Sequence, residues 1–159
     1  MSDLKTLAQQ FAFNAGMLQM LSKDMQPDDW AFRPEGGGNC ALWILGHVCS
    51  ARRMLVRKLG GDTPEVATDA LFGMGEEPRD ASELPDAATL LAEVQAPSKE
   101  LVRVLEALTP EKAAEPWGHA FPDGSDTIAG GIRFLFFHES YHLGQLGLLR
   151  RMRGKQRFA

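Results

Sequence analysis

Cysteine is scarce in this chain: Cys40 and Cys49 are its only two. Two thiols do not make the disulfide framework of a small secreted domain, so a reducing cytoplasmic compartment is expected. Long apolar runs are also missing. No stretch of 18 apolar residues occurs, and nothing is expected to span a membrane. The opening residues MSDLKTLAQQ have neither the basic start nor the apolar core of a secretory signal. A positive surplus is absent too. The net charge is −4, and an acidic chain without a basic stripe speaks against nucleic acid as a partner. The tail RRMRGKQR is basic, but it reads as the complement of the negative end of a last helix. Strand patterns of useful length do not appear, which leaves an all-α class.

What is present fits an ordinary globular protein: 44% hydrophobic and 24% charged residues over 159 positions. That length is expected to form one domain, 1–159, with a real core. Leu4, Leu7, Ala8, Phe11, Ala15, Leu18 and Leu21 recur at three and four and predict a first helix, stopped by Pro27. A loop through Trp30, Pro34 and three glycines follows, with Asn39 as the candidate cap of the second helix. That helix runs from Cys40 to about Leu59 and ends at Gly60-Gly61. Residues 60–85 are rich in Gly, Pro and acids and lack a sustained period; a segment of that kind inside a compact fold is a crossover or a lid. Its extended reach exceeds the length of a 20-residue helix, roughly 30 Å, so it can return to the same end and start a parallel helix. Leu71, Phe72 and Met74 would pin it down or contact a substrate.

The third helix starts at Asp86 and passes Leu90, Val94, Leu101 and Leu105, with Pro97 expected to kink or divide it and Thr109-Pro110 to close it. A loop holding Trp117, His119 and Phe121 follows. The fourth helix begins at Asp126-Thr127 and reaches about Arg153. Its glycines Gly130, Gly131, Gly144 and Gly147 suggest close helix contact. The expected architecture is a four-helix bundle with a long crossover between helices 2 and 3.

The chemistry concentrates in FFHESYHLGQ, Phe136 to Gln145. His138 and His142 share one helix face, about 40° apart in projection and roughly 6 Å along the axis. Such a pair suits one divalent transition metal such as zinc, nickel or iron. Left unpaired among Phe134, Leu135, Phe137, Tyr141, Leu143 and Leu146, both rings would be costly to bury. HESYH also matches the zincin motif H-E-x-x-H, with Glu139 as general base. The continuation does not: Gln145 stands where the metzincin Gly should be, Leu148 where its third His should be, and no Asp, Glu or His follows His142. A third ligand must come from upstream. His47, in WILGHV, leads over His119, and Gly46 beside it admits the close approach of a bulky group.

Supporting roles follow from angle. Gln145 lies about 20° from His138 in projection and two turns on, placed to hydrogen-bond a ligand imidazole or a helix backbone. Trp43, one turn before His47, is a pocket wall or a core aromatic. Glu139, about 100° round from His138, suits a salt bridge or support of a ligand better than a base. Tyr141 is a further weak candidate beside the pocket. Cys49 points away from His47, and Cys40 is about 10 Å from it along the helix.

Taken in order, WILGHV, the crossover and HESYHLGQ resemble the DinB/YfiT-like family of metalloenzymes, over essentially the whole chain. The resemblance implies an up-down-down-up bundle and a three-histidine site, His47, His138 and His142, open to a further ligand. It implies a metal-dependent enzyme acting on a small-molecule substrate, a hydrolase or a thiol-dependent S-transferase that uses a low-molecular-weight thiol. The alternative is a non-catalytic metal- or ligand-binding bundle that works through a partner. With the glycine-bearing faces of the last helix, the resemblance also implies a homodimer.

Overall fold

The computed structural model describes residues 2–73 and 79–156; Met74 lies outside them. Four long helical elements form the bundle: α1 (Ser2–Ser22), α3 (Ala41–Lys58), the pair α4 (Ala87–Glu93) and α5 (Gln95–Glu106), and α7 (Ile128–Met152). Two one-turn helices, α2 (Pro27–Ala31) and α6 (Pro110–Ala114), sit in the connections, and no strand occurs among the described residues.

Side-chain pairs fix the direction of each element. Phe11 stacks edge-on against Phe136, Asn14 donates to Ser140, and Arg150 donates to the Leu21 carbonyl, so α1 and α7 run parallel. Trp43 meets His142 while His47 meets His138, so α3 runs against α7. Cys49 donates to the Leu90 carbonyl and Arg53 to Glu93, so α4 and α5 run with α3. The order is up-down-down-up, and the crossover is what allows two consecutive long elements to run the same way.

Apolar burial falls into two clusters. One gathers around Leu18, Leu45, Leu90 and Leu146, the other around Phe11, Leu55, Leu101 and Ile132. Between them each element contributes buried polar side chains: Asn14 from α1, Arg52 and Arg53 from α3, Ser98 from α5, Glu139 and His142 from α7. Burial of this kind is tolerated only when the groups are paired, and the pairing shapes the site.

Local chemistry explains the boundaries. Asp86 caps α4 by accepting from the Thr89 amide, and Thr127 caps α7 by accepting from Gly130. The third element divides at Val94, three residues before Pro97; Val94 keeps a helical conformation, so the direction carries through. Pro97 thereby falls in the first turn of α5, where its missing N–H is not needed.

Several expectations are corrected. Pro27 does not merely stop α1, which ends at Ser22; it opens α2, which includes Trp30. The cap of α3 is Cys40 rather than Asn39, its carbonyl accepting from the Ile44 amide. Thr109 caps α6 instead of closing α5. The crossover carries two short 3-10 segments, Ala67–Phe72 and Ala81–Glu83. The glycines of α7 are not uniformly helix contacts. A Cβ on Gly131 would overlap the Trp117 ring and one on Gly130 the Ser125 side chain, both from the preceding loop. Gly144 is open, and Gly147 alone faces another helix, at Leu21.

Basic residues at the end of α7 and just past it reach across to α2 and the turn before it. Arg150 pairs with Asp24, while Arg153 and Lys155 pair with Asp29 at 3.0 and 2.7 Å. The Lys155 hydrogen bond leads in holding the Asp29 carboxyl well below the usual carboxylate range. Among the described residues no helix is long and apolar enough to cross a membrane.

Candidate metal centre

Two antiparallel helices build the centre. On α7, His138 and His142 project from one face, four residues apart, toward α3. On α3, His47 meets them from the other side. The Nε2 atoms of His47 and His142 each stand 3.1 Å from His138 Nε2, and the ligand atoms of all three rings lie within 4.8 Å of one another. Two nitrogens about 2.0–2.1 Å from one ion and 90–109° apart are separated by roughly 2.8–3.4 Å. The 3.1 Å spacings fall inside that range. The donor set therefore fits a divalent transition metal.

The outer ring nitrogens decide the tautomers. His47 Nδ1–H donates to the Phe72 carbonyl at 2.6 Å, and His142 Nδ1–H donates to Gln145 Oε1 at 2.8 Å. A proton held on Nδ1 leaves the Nε2 lone pair free and aimed inward. Gln145 is held in turn, its amide donating to the Tyr141 hydroxyl at 3.0 Å. Trp43 stacks on the His47 ring with centroids 4.6 Å apart and meets His142 edge-on. Phe134 lies over His138.

Charge is disfavoured here. Burial lowers the pKa of His47, and burial together with the neighbouring His47 takes both His138 and His142 down to about 4. All three are neutral at pH 7, the form in which imidazole binds a metal.

Glu139 is turned away from the cluster. It accepts two hydrogen bonds from Arg52, Nε at 2.8 Å and Nη2 at 2.7 Å, and Arg52 also donates to the Phe11 carbonyl. Both partners are at most 5% exposed, so this is a buried ion pair tying α3 to α7 one turn from the centre. His119 is exposed and stands against Phe121 and Trp117, apart from the three-imidazole group. Cys40 and Cys49 are buried free thiols; burial pushes Cys49 up to about 12, and its sulfur donates to the Leu90 carbonyl.

Three contributors escaped the sequence in whole or in part; at Glu139 a salt bridge was expected, and only its partner, Arg52, was not. The Phe72 carbonyl is a backbone group and carries no sequence signal. The Arg52–Glu139 pair and the Arg53–Asp69 pair had a faint one: two arginines in the middle of an otherwise apolar helix face require buried acids somewhere.

Fold and site together define a class: a helical bundle in which two buried imidazoles and a third, half-buried one, His138, converge between antiparallel helices. The chain belongs to the DinB superfamily, whose family model matches residues 10–146. No curated protein matches the sequence. Among solved structures it is similar to YfiT from Bacillus subtilis, described as a probable metal-dependent hydrolase with an unusual four-helix bundle topology. The likeness has a TM-score of 0.71 at 17% identity and covers 96% of this chain and 89% of that one, which carries the fold.

Proposed function

We propose that the protein is a divalent-metal-dependent enzyme that acts on a small molecule at an open site formed by His47, His138 and His142, and that its reaction is a hydrolysis. The observation that carries this reading is the convergence of three neutral imidazoles whose Nε2 atoms approach to 3.1 Å. The description of YfiT as a probable metal-dependent hydrolase supports the choice of reaction. His47, His138 and His142 would hold the divalent ion, which would supply a Lewis acid able to ionise a water or a thiol near neutrality.

The chain's own residues prepare that chemistry. Phe72 and Gln145 hold protons on the outer nitrogens of His47 and His142. Trp43 and Phe134 fix ring planes by stacking. The Arg52–Glu139 pair locks α3 against α7, so the donors are set before anything binds. A cytoplasmic location belongs to the same reading, supported by two free buried thiols.

A panel of small amides and esters tests the reaction. Protein loaded with zinc or nickel should hydrolyse a member of the panel, lose the activity to a chelator and recover it on reloading. In parallel, cobalt-loaded protein is mixed with glutathione, bacillithiol and mycothiol. A near-ultraviolet charge-transfer band, with a pH midpoint well below the free-thiol value of about 8.5, would replace hydrolysis by the thiol-transfer reading. Loaded protein that hydrolyses nothing and ignores all three thiols would leave a binding bundle.

A further inference from the structure

Among the described residues, the crossover touches the centre through Phe72 and is fastened to the same helix through Asp69. Phe72, at the end of the 3-10 segment, is 1% exposed, and its ring sits on Gly46. A Cβ there would come within 2.2 Å of the ring, so the position accepts glycine alone without displacing Phe72. With the ring in that socket, the Phe72 carbonyl reaches His47 Nδ1 at 2.6 Å. Three residues earlier, Asp69 is gripped by Arg53, which is 1% exposed: Nε donates to both carboxylate oxygens at 2.9 and 3.1 Å, and Nη2 donates as well. Arg57 adds a looser contact to Asp69 at 3.6 Å.

Gly46, Arg53 and Arg57 are spaced by seven and four residues, so they form one stripe along α3, within about 40° in projection. The segment Ala67–Phe72 lies along that stripe, held by charge at one end and by shape at the other. A carbonyl only accepts, so its contact forces the His47 proton onto Nδ1 and leaves Nε2 to face His138.

We propose that Ala67–Phe72 is a clamp on the metal centre: Asp69 and Arg53 act as positioning residues, and metal binding and docking of this segment are one coupled equilibrium. The inference rests on His47, His138 and His142 being the ligands. Coupling is reciprocal, so whatever loosens the segment weakens the metal, and the metal tightens the segment. Outer hydrogen-bond partners of ligand histidines change metal affinity by about 10–100-fold, which sets the scale of the effect.

Two measurements test this on the full chain. In the unaltered protein, hydrogen exchange of amides 66–73 is compared with that of α5, without metal and with one equivalent of zinc. Zinc should slow the crossover amides at least about tenfold more than those of α5; equal slowing overturns the clamp. In the second, zinc affinity is measured by chelator competition for Asp69→Asn, Asp69→Glu and His138→Ala. Asp69→Asn should lose about 10–100-fold, Asp69→Glu should recover part of the loss, and the His47 ring nitrogens should report a tautomer mixture by NMR in Asp69→Asn. A folded Asp69→Asn protein with unaltered affinity and a single Nδ1–H tautomer overturns the proposal. If Asp69→Asn does not fold, the exchange comparison decides. Wild-type affinity in His138→Ala would overturn the ligand assignment itself, whereas its loss alongside an unaffected Asp69→Asn would overturn only the clamp.

Discussion

At the scale of single residues, Glu139 separates two readings of one motif. In a zincin it would be a base beside the metal, and Glu139→Gln would abolish turnover in a stable protein. Here its carboxylate is committed to Arg52 in a buried pair, so removing the charge leaves a guanidinium uncompensated. Glu139→Gln is expected to cost about 3–5 kcal/mol, read by denaturant unfolding, and replacing both partners by apolar residues should return much of it. The histidines carry a pH prediction. Their folded pKa values lie below the unfolded value, down to about 4 for His138 and His142. The unfolded chain therefore binds more protons between about 6.5 and 4. Stability of the metal-free protein should be full above that window and fall as pH drops through it, measured as midpoint against pH; a flat profile would contradict the burial of neutral imidazoles. The pair His138 and His142 was legible from spacing alone. His47 could be ranked above His119 from its apolar helix, while Arg52 as the partner of Glu139 could not, because ion pairing across 87 positions leaves no local pattern.

At the scale of elements, helix periodicity and capping chemistry were readable, and short turns were not. Asp86 and Thr127 cap where a capping side chain was expected. One-turn helices such as α2 and α6 are too short to show a period, and only their opening prolines hinted at them. The crossover was recognisable by its composition, and Gly46 announced a close approach, but not by what. The structure supplies Phe72. Gly46→Ala should displace that ring at a cost of about 1–3 kcal/mol, seen as a lowered thermal midpoint. A midpoint equal to that of the unaltered protein would mean that the ring is not held there.

At the scale of the whole molecule, up-down-down-up order follows from a crossover long enough to return the chain to its starting end. The polar layer between two apolar clusters could not be read from the sequence, since it depends on which helix levels coincide. Phe137, Tyr141, Leu148 and Met152 lie exposed along α7, and Phe13 and Met20 along the neighbouring parallel α1. We propose that a second copy of the chain covers this face, with the open Gly144 admitting close approach. Sedimentation at micromolar concentration should show a dimer that Leu148→Lys disrupts; a monomer throughout would remove the claim.

The central claim is that three imidazoles hold a metal and leave it open. Its most direct test is elemental analysis with X-ray absorption on protein purified without added metal, alongside the four histidine-to-alanine variants. The account predicts about one divalent ion per chain, bound by imidazole nitrogens with a position left for a small ligand. That ion should be lost in His47→Ala, His138→Ala and His142→Ala and retained in His119→Ala. An unaltered protein that takes up no metal, or a site closed by a fourth protein ligand such as His119, would contradict it.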